Sequence, residues 1–165
     1  MSLINDPSMK EIIVDFCNEA ESLFDQLEQT LSLVEENPNQ AKELEKFGQI
    51  IDRIMGAAKS IGAEEISTFC ELGKVIGYKS SQIKDLPLIE IVVAVLFDSL
   101  HMLRQMNQSL REGHDKSMNK LNTKAFATRL TWLSNKFKDI DRASCTYEAN
   151  LSQNSIDDLM KSLGM

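Results

Sequence analysis

The sequence predicts an all-α protein: an antiparallel four-helix bundle with an additional helix and a C-terminal peptide helix. Three observations carry that expectation. Apolar residues recur at three- and four-residue steps through most of the chain, the period of one helix face rather than the alternation of a strand. Hydrophobic residues make up 42% of the 165 residues but aromatics only 6%, with eight methionines and three prolines. That balance suits helices better than a sheet rich in β-branched and aromatic residues. The joins between periodic segments are short and polar, so successive helices should run up and down.

The first helix is expected over about residues 8–36, with Ile13, Phe16, Cys17, Ala20, Phe24, Leu27, Leu31 and Val34 on its inner face. Asn37-Pro38 stops it and opens the next, since proline is at home in a first helical turn. The second helix, about 39–61, buries Leu44, Phe47, Ile51, Ile54, Ala58 and Ile61, and Gly62 ends it. A third, about 63–79, turns Ile66, Phe69, Cys70, Gly73 and Ile76 inward. After the polar link Ser80 to Asp85, a fourth helix spans about 86–111. Its first half is apolar nearly all round (Leu88, Ile89, Ile91, Val92, Val93, Val95, Leu96), so it is either central or shares a face with a second copy in a homodimer. The last bundle helix, about 122–140, repeats Phe126, Leu130, Leu133, Phe137 and Ile140. Residues 1–140 thus read as the bundle, 141–153 as a flexible linker and 154–165 as a separate peptide.

Composition narrows the function. A net charge of −7 argues against nucleic-acid binding, which needs clustered Lys and Arg to neutralise phosphates. Cys17, Cys70 and Cys145 are widely spaced and lack metal-ligand company, so reduced thiols are expected and neither a metal nor an intrinsic cofactor. The N-terminus shows no basic stretch followed by an apolar run, and Leu86–Phe97, interrupted by Glu90 and followed by Asp98, reads as too short for a membrane span. A cytoplasmic location, away from any membrane, is the expectation.

The outer face of the second helix is more informative. At 100° per residue, Glu45, Gln49, Asp52, Gly56 and Lys59 fall within one arc opposite Phe47, Ile51, Ile54 and Ala58. A solvated stripe with a weak Asp52–Lys59 pair would be the ordinary outcome. Gly48 and Gly56, however, each cost about 1 kcal/mol in a helix interior relative to alanine, and an exposed glycine lets another backbone approach.

The run Phe47 to Gly62 resembles the phosphoacceptor helix of histidine phosphotransfer (HPt) domains, above all the N-terminal domain of the chemotaxis kinase CheA. Phe47 stands near the family's opening aromatic position, Gly56 at its glycine, Ala58 at its small residue and Gly62 at its closing glycine. In helix order the resemblance covers about residues 8–140, with Phe16 to Glu21 and Leu27-Glu28-Gln29 also similar. It implies an HPt-like four-helix bundle. Two departures decide the chemistry. Asp52 takes the place of the reactive histidine and Met55 that of the assisting lysine. A phosphohistidine relay needs an imidazole nucleophile and a nearby cation, and the two histidines, His101 and His114, lie elsewhere. Phosphotransfer through histidine is therefore not expected.

What the resemblance leaves is receiver binding. Helical receiver phosphatases such as CheZ use an acid four residues before a glutamine: the amide positions water and the acid meets the receiver's lysine. Glu45-Lys46-Phe47-Gly48-Gln49 has that spacing on the outward arc, with Asp52 as the alternative acid. Gly48, Met55, Gly56 and Lys59 complete the expected contact. The same spacing recurs at Asp25 and Gln29, and Asp15 with Asn18 matches the acid-x-x-Asn of another phosphatase family. Any Mg2+ would reside on the receiver.

The C-terminus points to the same partner. Ile156, Leu159, Met160 and Leu163 sit at i, i+3, i+4 and i+7, behind a Ser155/Asp158 capping box. A lone helix this short is marginal in water, so it should order on a surface. Leu151-Ser152-Gln153 with Ile156, Asp157 and Leu159 resembles the CheY-binding segment of FliM, and Asp157-Asp158-Leu159 with Ser162 to Met165 resembles the end of CheZ. The alternative is a helix folded back on its own bundle.

Overall fold

The computed structural model describes residues 3–114, 116–118, 121–144 and 156–165. The described residues contain helices and no strand. The helices are α1 (Lys10–Glu36), α2 (Leu44–Ser60), α3 (Glu64–Ser80), α4 (Leu86–Arg111) and α5 (Lys124–Ser144). A short α6 follows over 156–162.

Local chemistry sets most of the ends. Asp6 accepts a hydrogen bond from the Ser8 amide and opens the 3-10 turn Pro7–Met9, so α1 begins slightly later than expected. Asn37 closes α1, but Pro38 starts a 3-10 segment (Pro38–Glu43) rather than α2 itself. Gly62, at φ 77°, ends α2 in the left-handed region where a side chain would be strained. Asp85 caps α4 through the Leu88 amide at 3.3 Å, ahead of Pro87 in the first turn, and the expected start is met. α5 runs on to Ser144, past the expected linker boundary; the remainder of 141–153 lies outside the described residues.

α1 packs on α2 and α4, and α3 packs on α2 and α4, so these four helices form a ring around one core. α5 lies against α4. Paired residues give the directions. Asn18 meets Arg111 while Glu28 meets Arg104, so α1 and α4 are antiparallel. Asp52 meets Lys74 while an added Cβ at Gly77 would meet Leu44, so α2 and α3 are antiparallel too. Phe24, Phe47 and Phe69 fill the centre, each all but fully buried; burial of this kind contributes about 1.5–3 kcal/mol per side chain.

α4 is central rather than peripheral, which accounts for its apolar circumference: Leu88, Ile89, Val92, Val93, Val95 and Leu96 are all buried. Ile91 is the exception, exposed beside Trp132 of α5. The apolar run continues past Asp98 through Leu100, Met102, Leu103 and Met106, longer than the sequence expectation allowed. By length and composition alone α4 could cross a bilayer (mean hydropathy 1.9 over 18 residues), but 56% of that window is buried inside the bundle. The core helix of a soluble protein meets the same description.

Candidate functional site

α2 presents its outer stripe much as its period requires. Gln49, Asp52, Gly56 and Lys59 are exposed, and Glu45 and Met55 are half-buried. Gly56 faces open space: a Cβ added there would meet nothing within 4 Å.

Gly48 is different, and the expectation that it serves a docking partner is corrected. It is buried against α3, where an added Cβ would stand 3.4 Å from the Tyr78 ring and 3.8 Å from the Lys74 carbonyl. Gly77 on the facing helix is tighter still, 3.2 Å from both the Leu44 carbonyl oxygen and Phe47 Cδ1. These glycines let two helix backbones of the same chain come close; the neighbour that Gly48 admits is α3.

The close approach has a chemical consequence. It brings Lys74 within 2.6 Å of the Asp52 carboxylate, the pair lying half in solvent, and sets the exposed Tyr78 ring beside Gly48. The ion pair expected with Lys59 is replaced by this one. The surface is therefore built from two helices, with Glu45, Gln49 and Asp52 from α2 and Lys74 and Tyr78 from α3. Lys74 is the cation beside Asp52, and Met55 brings none. The signal for the α3 residues was the Gly73-x-x-x-Gly77 spacing, which marks a close helix pair; it does not say which α2 residues stand opposite.

Two side chains of the site carry no competing duty. Among the described residues no hydrogen bond or ion pair engages Gln49 or Glu45. The Gln49 amide offers both a donor and an acceptor, as orienting a water requires. The rival acid-and-amide pairs differ. Asp25 is tied to Arg104 at 3.0 Å, and the Asn18 amide oxygen accepts from Arg111 at 2.9 Å. His101 and His114 are exposed and remote from this face in sequence.

The tail is helical over 156–162 and folds back on the bundle. Ile156 and Met160 are buried, 1% and 8% exposed, and Leu159 and Leu163 pack partly against the same core. Asp157 accepts hydrogen bonds from Ser134 Oγ and Lys138 Nζ of α5, each at 3.1 Å, while Asp158 is exposed. Ser155, half of the expected capping box, lies outside the described residues. The apolar stripe assigned to a receiver is thus turned inward here, packed against the core of the same chain.

A separate groove of about 540 Å³ between α4 and α5 has Glu90, Ile91, Ala94, Val95, Arg129 and Trp132 in its lining. Among the described residues no group of three or more His, Cys, Asp or Glu is placed to hold a metal ion. Burial pushes the Cys17 and Cys70 thiols up, away from the reactive thiolate. No family model matches this chain, and neither a curated protein nor a solved structure gives a match.

Proposed function

We propose that this protein is a degenerate HPt-like bundle of the chemotaxis type that binds a CheY-like response regulator and promotes its dephosphorylation, as CheZ does. The observation that carries this reading is the unengaged Gln49 amide one turn beyond Glu45 on an exposed α2 face. With Asp52 held by Lys74, Glu45 becomes the acid for the receiver's lysine, and Asp52 serves to position Lys74. A water oriented by Gln49 attacks the phosphorus in line. Its oxygen bonds to phosphorus as the bond to the receiver's aspartyl oxygen breaks, releasing inorganic phosphate and a free carboxylate, with the water's proton passing to solvent. The receiver brings its own Mg2+, and the C-terminal peptide supplies the tether. A cytoplasmic setting belongs to the same reading.

A phosphorylated CheY-like receiver, followed by loss of its phosphoryl label, tests it. Gln49→Ala should return hydrolysis to the receiver's own rate, a loss of about tenfold or more. Glu45→Gln should be more damaging than Asp52→Asn, and Asp52→Asn should resemble Lys74→Met. Acceleration untouched by Gln49→Ala removes the catalytic assignment. The second reading, a non-catalytic module that sequesters a receiver, is favoured by the Asp52–Lys74 pair, which neutralises one of the two acids. It predicts binding with unchanged decay.

A further inference from the structure

The tail and the bundle raise a question of exclusion. Ile156 and Met160 are buried, Leu159 and Leu163 are partly buried against the same core, and Asp157 is held twice by α5. One apolar stripe cannot lie in two grooves at once. A helix of this length has little stability of its own in water, so its helical form is supported by whichever surface it lies on. Resting on the receiver-binding reading above, we propose that the docked tail is a latch. The α5 face carrying Ser134 and Lys138 competes with the receiver for the tail, and capture requires the tail to leave its own bundle.

Two features of this competition follow from the contacts. First, the tail and α5 belong to one chain, so docking is intramolecular and independent of protein concentration. The apparent dissociation constant for a receiver is the intrinsic one divided by the released fraction of tail, so anything that loosens the dock tightens capture. Second, the dock defines what a successful competitor must offer. Asp157 gives up a lysine ammonium and a hydroxyl donor on leaving, and Ile156 and Met160 give up a dry apolar surface. The rival groove must therefore be apolar with a cation at its edge, beside the second residue of the helix. A groove lacking that cation would leave Asp157 uncompensated.

The bundle side of the contact can be altered without touching the tail. Lys138 is a half-exposed surface residue whose ammonium meets Asp157, so Lys138→Glu replaces attraction by repulsion and spares the core. Two quantities are read on the full-length chain. One is amide hydrogen exchange over 156–163; the other is affinity for a CheY-like receiver activated with beryllofluoride. The latch predicts that Lys138→Glu speeds tail exchange by about threefold or more and tightens receiver binding by a similar factor, the scale of one exposed charge pair and its reversal. Adding Asp157→Lys to Lys138→Glu should restore the protection. Unchanged exchange overturns the latch, and so does faster exchange with unaltered or weaker binding. Faster exchange when neither chain binds the receiver at all overturns the receiver reading instead and leaves the contact a structural clasp.

Discussion

Two glycines show how differently one residue type behaves within a single helix pair. At Gly56 an added Cβ meets open space, and alanine there should stabilise the fold by about 0.5–1 kcal/mol through helix propensity alone. At Gly77 the same methyl would lie 3.2 Å from the Leu44 carbonyl oxygen, and Gly77→Ala should destabilise by about 1–3 kcal/mol despite the propensity gain. Urea denaturation of both variants measures the two signs; equal shifts would mean that the α2–α3 approach is not the constraint. Gly56→Ala carries a second readout, since a receiver backbone seated on that spot would be held off by the methyl and bind more weakly. At the same scale, Asp6 illustrates a modest pH effect. The Ser8 amide and hydroxyl hold its carboxyl below the usual range. The cap therefore helps the fold at neutral pH and is lost as pH falls through that lowered value.

Between elements, the most elaborate polar contact joins α4 to α1. The Arg104 guanidinium reaches Glu21 at 2.7 Å, Asp25 at 3.0 Å and Glu28 at 3.1 Å, and lies 5.6 Å from the centre of the Phe24 ring. Burial works against its charge, but the hydrogen bonds and charges of Asp25 and Glu21 outweigh that and hold it above its ordinary pKa. Isolated surface pairs are worth little, whereas removing the shared cation of three carboxylates leaves like charges crowded on one face. Arg104→Ala should cost about 1–2 kcal/mol at low ionic strength, and less in high salt where the remaining repulsion is screened. Urea midpoints at two salt concentrations check this, and a salt-independent loss would assign the effect to packing on Phe24. The α2–α3 contact contributes in another way, placing Lys74 opposite Asp52 and so making one surface from two helices.

Across the whole molecule, the tail is the part whose attachment matters most. Ile156 and Met160 are buried in the same core as the bundle helices. A chain ending at residue 150 should lose about 1–3 kcal/mol, since burial of two apolar side chains is offset by the entropy of ordering the segment. Thermal unfolding of the truncated chain tests this: a lower midpoint is expected, and an unchanged one would show that docking contributes nothing to the fold. If the latch holds, stability and receiver affinity move in opposite directions in variants of the α5 face and fall together only when the tail itself is removed.

The sequence by itself determined the helices, because their period, caps and stops are local. Ile13 to Val34 and Leu44 to Ile61 fall on the faces their spacing assigns, and Asp85 and Gly62 mark the ends they announce. It likewise determined that Gln49, Asp52 and Lys59 point outward, which follows from 100° per residue. Tertiary structure alone decided the partners. Which helix fills the space over Gly48, which lysine neutralises Asp52, and whether the stripe from Ile156 to Leu163 is free or seated all depend on pairings distant in the chain. Periodicity tells a side chain which way to face; only the packed bundle supplies what it faces.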